Sequence, residues 1–95
     1  NHLKAQILYG AIDGSDGFYI NRIRPNARSK MNVVFQTGNE ELDRRFVFEA
    51  ELQGLCLLKG YKSVGGMRAS IYNAMALEGV RALADFMSDF QRRYG

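Results

Sequence analysis

The residues of this chain best suited to chemistry lie in one run, "GYKSVGGMRASIYN", residues 60–73. Arg68 stands there as a lone cation between Met67 and Ala69, in a stretch that reads as a strand. Strand alternation puts Met67, Ala69 and Ile71 on one face and Arg68, Ser70 and Tyr72 on the other. The first set is apolar and small enough to lie under helices, so Arg68 is expected to point away from the core. A planar guanidinium on a strand suits two-pronged capture of a carboxylate. Just upstream, Tyr61, Lys62 and Ser63 offer a phenol, an ammonium and a hydroxyl, donors that can receive a second anionic group. The same residue types also make an ordinary exposed sheet face, and residue chemistry alone leaves both readings open.

Other chemistries fit the sequence poorly. His2 lies near the terminus and Cys56 within the apolar "LCLLKGY", with no metal-ligand spacing and no nucleophile–base arrangement between them. No metal is expected. Carboxylate neighbours such as Glu40-Glu41 and Glu49/Glu51 sit on helix faces and read as solvated charge. The stretch "KGYKSVGG" (59–66) has the residue types of a phosphate-binding P-loop but not the order, because a strand rather than a helix follows Gly66. The net charge of +3 and pI near 9.3 invite a nucleic-acid reading. The cations are dispersed, however, into Arg22/Arg24/Arg28/Lys30, Arg44/Arg45 and Arg92/Arg93, with ten acidic residues among them. A solvated charged surface is the expectation, with no nucleic-acid partner.

The elements that must position Arg68 follow from periodicity. Leu3, Ile7, Leu8, Ala11 and Ile12 recur at helical spacing, which predicts a helix over 2–12, ended by "DGSDG". Pro25 biases Arg24 toward an extended conformation within a mixed stretch, 18–27. "KMNVVFQ" (30–36) is β-branched and aromatic and predicts a strand. Asn39 or Thr37 caps a helix over 40–54, whose face is Leu42, Phe46, Ala50 and Gln53 with Val47 beside them, and Gly54 closes it. "LCLLKGY" (55–61) and "GMRASIY" (66–72) predict two further strands. Leu77, Val80, Leu83, Ala84, Met87 and Phe90 give the clearest stripe and a final helix over 76–93. The order α-β-α-β-β-α predicts an α+β two-layer sandwich, a small and mainly antiparallel sheet with helices over one face.

Ninety-five residues, 46% of them hydrophobic, make one domain, 1–95, with a real core. The single cysteine fits a reducing compartment, and a cytoplasmic location is expected. No apolar run approaches the ~20 residues that span a membrane, so no membrane partner is expected. The chain opens Asn1-His2-Leu3 without a methionine and is expected to be a piece of a longer polypeptide.

"GYKSVGGMRASIYNAMALEGVRALADFMSDFQRRYG" closely resembles the C-terminal end of the phosphoserine aminotransferase family, and "KAQILYGAIDGSDGFYIN" and "RSKMNVVFQ" resemble that family's small domain. These are class V aminotransferases, of fold type I among pyridoxal-phosphate enzymes. The resemblance implies a homodimeric enzyme of serine biosynthesis, and in many bacteria of pyridoxine biosynthesis. It moves the amino group of glutamate to 3-phosphohydroxypyruvate, giving phosphoserine and 2-oxoglutarate. It also implies that Arg68 grips the substrate α-carboxylate, and that Tyr61 and Lys62 stand where the family has a His-Arg pair on the substrate phosphate. That is a departure: tyrosine cannot become cationic as histidine can, and lysine replaces a fork with a point charge. Ser70, Tyr72 and Asn73 read as scaffold.

The family's Schiff-base lysine belongs to a large domain upstream, and Lys4, Lys30, Lys59 and Lys62 are not in its sequence context. The chain is therefore expected to supply part of the substrate site but no catalytic residue, to bind no pyridoxal phosphate alone, and to be inactive without the large domain. Such a domain is also expected to expose an apolar patch where its neighbour packs. The alternative is a stand-alone module that binds small dianions through Arg68 and Lys62 without catalysis.

Overall fold

The computed structural model of the chain describes residues 2–21, 32–55, 58–59, 66–70 and 76–95. Its elements are α1 (His2–Asp13), β1 (Asn32–Phe35), α2 (Glu40–Leu52), β2 (Leu58–Lys59), β3 (Met67–Ser70) and α3 (Leu77–Tyr94), in the expected order. The strands lie side by side as β1-β3-β2, and both pairings are antiparallel. The strand that carries Arg68 is thus the central one.

Alternation along the strands decides which face is covered. Val33 and Phe35 of β1 and Met67 and Ala69 of β3 are each no more than 1% exposed. They meet in register, Val33 opposite Ala69 and Phe35 opposite Met67. Leu8 and Ile12 of α1, Phe46 and Ala50 of α2, and Val80, Leu83, Met87 and Phe90 of α3 bury against that same face in one core cluster. The result is the α+β two-layer sandwich that the element order predicts. Among the described residues no helix is long and apolar enough to cross a membrane.

The start of α2 shows how local chemistry fixes an element. Asn39 is the N-cap, its Oδ1 accepting from the backbone N–H of Glu41 at 2.9 Å and of Leu42 at 3.2 Å. Glu40, Glu41 and Asp43 place negative charge on the positive end of the helix dipole. Thr37 is not the cap. Its backbone N–H and its hydroxyl both donate to Asp43 Oδ1 at 2.8 Å, which ties the end of β1 to the first turn of α2. That bond explains why Asp43 is buried despite its charge.

Three expectations are corrected. Leu3 does not belong to the buried face of α1: it is 53% exposed, and Ala5 takes its place beside Leu8 and Ile12. On a helix, Ala5, Leu8 and Ile12 share a face at spacings of three and four, whereas Leu3 lies well round from Leu8. Gln53 is exposed, because α2 ends at Leu52 and Gln53 serves as its C-cap. Leu55 lies in coil, so the second strand begins later than residue 55, and the described part of it is Leu58–Lys59.

The turn after α1 also enters the core, which its composition hides. Ser15 is buried, its hydroxyl donating to Ile12 O at 2.6 Å and accepting from the Tyr19 N–H at 3.0 Å. This folds Tyr19 inward, where its ring stands edge-on to Phe35 and Phe46, with centroids 5.8 Å away in each case. The Tyr19 hydroxyl donates to the carbonyl of Met87 at 2.7 Å, which satisfies the polar tip of a buried ring. Burial raises the Tyr19 phenol above its usual range, although the Arg93 charge pulls the other way.

Candidate functional site

Arg68 occupies the middle of the central strand on the face opposite the core. Its sequence neighbours Met67 and Ala69 are fully buried, whereas Arg68 is half-buried. Its partners in register are Val34 on β1 and Leu58 on β2. The Nε atom is itself buried, and the side chain keeps a contact within the chain. Arg68 as a whole is only half-buried, so part of it stays open to a ligand, and the outer end of any guanidinium carries its paired donors. Two parallel N–H donors at such an end match a carboxylate.

The approach to β3 is fixed by Gly66. Its φ is +81°, a conformation that L side chains rarely adopt. A Cβ placed there would stand 2.7 Å from the Phe35 carbonyl oxygen and 2.9 Å from the Gln36 Cβ. Gln36 cannot retreat easily, because its backbone exchanges hydrogen bonds with Ile20 at 2.7 and 3.0 Å. Gly66 therefore lets the chain enter β3 pressed against the end of β1, two residues before Arg68. Gly66→Ala is expected to cost about 1–3 kcal/mol of stability from strained φ and steric overlap. A urea midpoint equal to that of the unchanged chain would show that the turn relaxes freely.

Tyr61 and Lys62, with Ser63, Val64 and Gly65, lie outside the described residues, as do Ile71, Tyr72 and Asn73. The structure thus positions Arg68, while both phosphate candidates fall among the residues it does not describe. Cys56 is also outside, and among the described residues no cluster of three or more His, Cys, Asp or Glu side chains could hold a metal. The register partner Val34 was missed in the sequence. Only strand pairing identifies it, since nothing in "NVVF" says which residue of another strand it will face.

Charged side chains of α2 and α3 pair with one another. Glu49 of α2 accepts from Arg93 Nη2 and from the Tyr94 hydroxyl of α3, both at 2.8 Å. Arg93 Nε and Arg92 Nη2 also donate to Asp89, at 3.0 and 2.6 Å. Desolvation raises the Glu49 carboxyl, but hydrogen bonds from Tyr94 and Arg93 outweigh it and hold the group below its usual range. A hydrogen bond from Arg92 does the same for Asp89. A carboxyl depressed in the fold stabilises the fold above its unfolded value, and this contribution disappears as pH falls through the folded value. Glu49→Gln is accordingly expected to lower the melting temperature at pH 7 and to leave it nearly unchanged near pH 3, a comparison that thermal unfolding can make directly.

Large apolar side chains remain exposed, notably Phe48 at 62% and Leu52 at 72%, one turn apart on α2. An open depression beside them is lined by Glu41, Arg44, Arg45 and Phe48.

No protein-family profile matches the chain. Among curated proteins it is 90% identical, over all 95 of its residues, to the phosphoserine aminotransferase of Neisseria meningitidis, and covers 26% of that protein. The solved phosphoserine aminotransferase of Bacillus circulans subsp. alkalophilus superimposes with a TM-score of 0.91 at 48% identity, over 97% of this chain and 26% of that one. The PLP-bound phosphoserine aminotransferase of Trichomonas vaginalis gives a TM-score of 0.81 at 41% identity, over 92% of this chain and 25% of that one. Over its whole length the chain is therefore a segment of the phosphoserine aminotransferase family, spanning about a quarter of the length of the relatives it matches.

Proposed function

We propose that the chain is the C-terminal small domain of a phosphoserine aminotransferase, a pyridoxal-phosphate enzyme acting in the cytoplasm as a homodimer. The whole enzyme passes the amino group of glutamate to 3-phosphohydroxypyruvate and yields phosphoserine and 2-oxoglutarate. The observation that carries this reading is 90% identity, unbroken along all 95 residues, with an enzyme of that name. Within the domain, Arg68 holds the substrate α-carboxylate. Its half-buried place on the central strand, between the core residues Met67 and Ala69, supports that role. Lys62, and with it Tyr61, receives the substrate phosphate, a reading that rests on the family resemblance of their sequence context.

The open depression beside α2 does not fit the cofactor. The depression on α2 is lined by Glu41, Arg44, Arg45 and Phe48 and holds no lysine to take up an aldehyde. The large domain is the part of the polypeptide assigned to the cofactor. What this domain contributes is charge and geometry: it binds and orients the anionic ends of the substrate while the reacting carbon faces the rest of the enzyme.

The test is an assay of the full-length protein with glutamate and 3-phosphohydroxypyruvate in the presence of pyridoxal phosphate, following 2-oxoglutarate release. Turnover that requires both substrates is expected. Absence of turnover with this pair, together with saturable binding of phosphorylated dianions by the 95-residue chain alone, would replace the reading with that of a non-catalytic anion-binding module.

A further inference from the structure

On the outer face of the sheet, Arg68 is flanked in register by Val34 from β1 and Leu58 from β2. Val34 departs from its neighbours: Val33 and Phe35 are buried in the core, while Val34 turns to the opposite face and is half-buried there beside Arg68. Directly opposed residues of an antiparallel pair have Cβ atoms about 5 Å apart. At that distance the two γ-methyls of a valine lie against the methylene stem of an arginine. Valine is also stiff about χ1, so its methyls form a fixed wall rather than a mobile one.

We infer that Val34 is a positioning residue for Arg68, holding its stem so that the guanidinium presents one orientation to the α-carboxylate of the amino-donor substrate. The inference rests on the assignment of Arg68 to that carboxylate and extends it to the neighbouring strand. The burial of Nε agrees with it, because a wall along the stem also covers the nitrogen at its end. The clamp at the other end of the pair has the same direction. Phe35 faces Met67 and Gly66 presses on Phe35, so β1 and β3 cannot slip past each other and Val34 stays opposite Arg68. A long side chain has rotamer freedom to lose on binding, and a wall that removes this freedom beforehand favours the bound form.

The experiment is steady-state kinetics of the full-length enzyme with glutamate varied, for Val34→Ala, Arg68→Ala and the double variant. Val34→Ala is expected to raise KM for glutamate about tenfold, a coupling typical of side chains in contact. The kcat is expected to stay within about twofold, as for a lost binding contribution, with little change in melting temperature. Val34→Ile, which keeps both γ-branches, is expected to restore most of the affinity. In the Arg68→Ala background, Val34→Ala is expected to change KM no further. An effect of equal size with and without Arg68 would overturn the inference and reduce Val34 to sheet packing, while leaving Arg68 its role. A wild-type KM for Val34→Ala would do the same. Unaltered kinetics for Arg68→Ala would instead remove the carboxylate assignment itself, and the inference with it.

Discussion

Arg68→Ala in the full-length enzyme is expected to lower kcat/KM by about 2–4 kcal/mol, roughly thirtyfold to nearly a thousandfold. The size follows from what the substitution leaves behind. A substrate carboxylate that has shed its water on entering the site loses a charged, two-pronged partner and keeps the desolvation cost. The guanidinium is held on the middle strand of the sheet, with Met67 and Ala69 locked in the core on either side. Little adjustment of the backbone can therefore bring another donor into its place. Arg68→Lys is expected to recover only part of the loss, since an ammonium offers a point charge where the fork supplied two parallel bonds. Steady-state kinetics on glutamate measures all three forms. A decarboxylated amine substrate supplies the control: its slow turnover is expected to be insensitive to the substitution, because it has no α-carboxylate to hold. Equal kcat/KM for Arg68→Ala and wild type on glutamate would leave β3 with a scaffold role alone.

Much of this architecture was legible because it is written in periodicity. The stripe of α3 at Val80, Leu83, Met87 and Phe90 is buried as its spacing requires. The outward place of Arg68 followed from alternation alone. A cap for α2 at Asn39 or Thr37 followed from residue type and from the acidic turn after them, and the fold selects Asn39. The failures have physical reasons as well. In α1, Leu3, Ile7, Leu8, Ala11 and Ile12 surround too much of the helix for hydropathy to choose a face, so small Ala5 was passed over for large Leu3. Tyr19 lies in a turn, where no period exists, and only the Ser15 hydrogen bonds show that it folds inward. Asp43 reads as one more acidic residue of a first turn until Thr37 is seen donating to it. The site divides in the same way. A strand's own pattern decides which way Arg68 points, but the residue it faces is a property of pairing between segments more than 30 positions apart, which is why Val34 is visible only in the fold.

Phe46→Ala is expected to cost about 3–5 kcal/mol, the range for emptying a buried aromatic position. For a domain whose total stability is on the order of 5–15 kcal/mol, most of the margin goes with it. Phe46 is fully buried, and four aromatic rings converge on it: Tyr19 at 5.8 Å, Phe35 at 5.5 Å, Phe86 at 4.8 Å and Phe90 at 5.1 Å between centroids. All four meet it steeply, edge to face, the arrangement that aromatic quadrupoles favour. These rings come from the turn after α1, from β1 and from α3, so no single rigid element can move in to fill the space. Poor collapse is what pushes a truncation toward the top of its range. Phe48, two positions along α2 and 62% exposed, provides the comparison, and Phe48→Ala is expected to stay within about 0.5 kcal/mol. Urea unfolding of the two variants separates the cases, and similar midpoints would mean that Phe46 does not join the layers. The consequence reaches the site, because Phe35 sits between Phe46 on the core side and Gly66 at its carbonyl. Loosening that ring releases the strand that keeps Val34 opposite Arg68. A destabilised domain is thus expected to lose carboxylate affinity before it loses its helices.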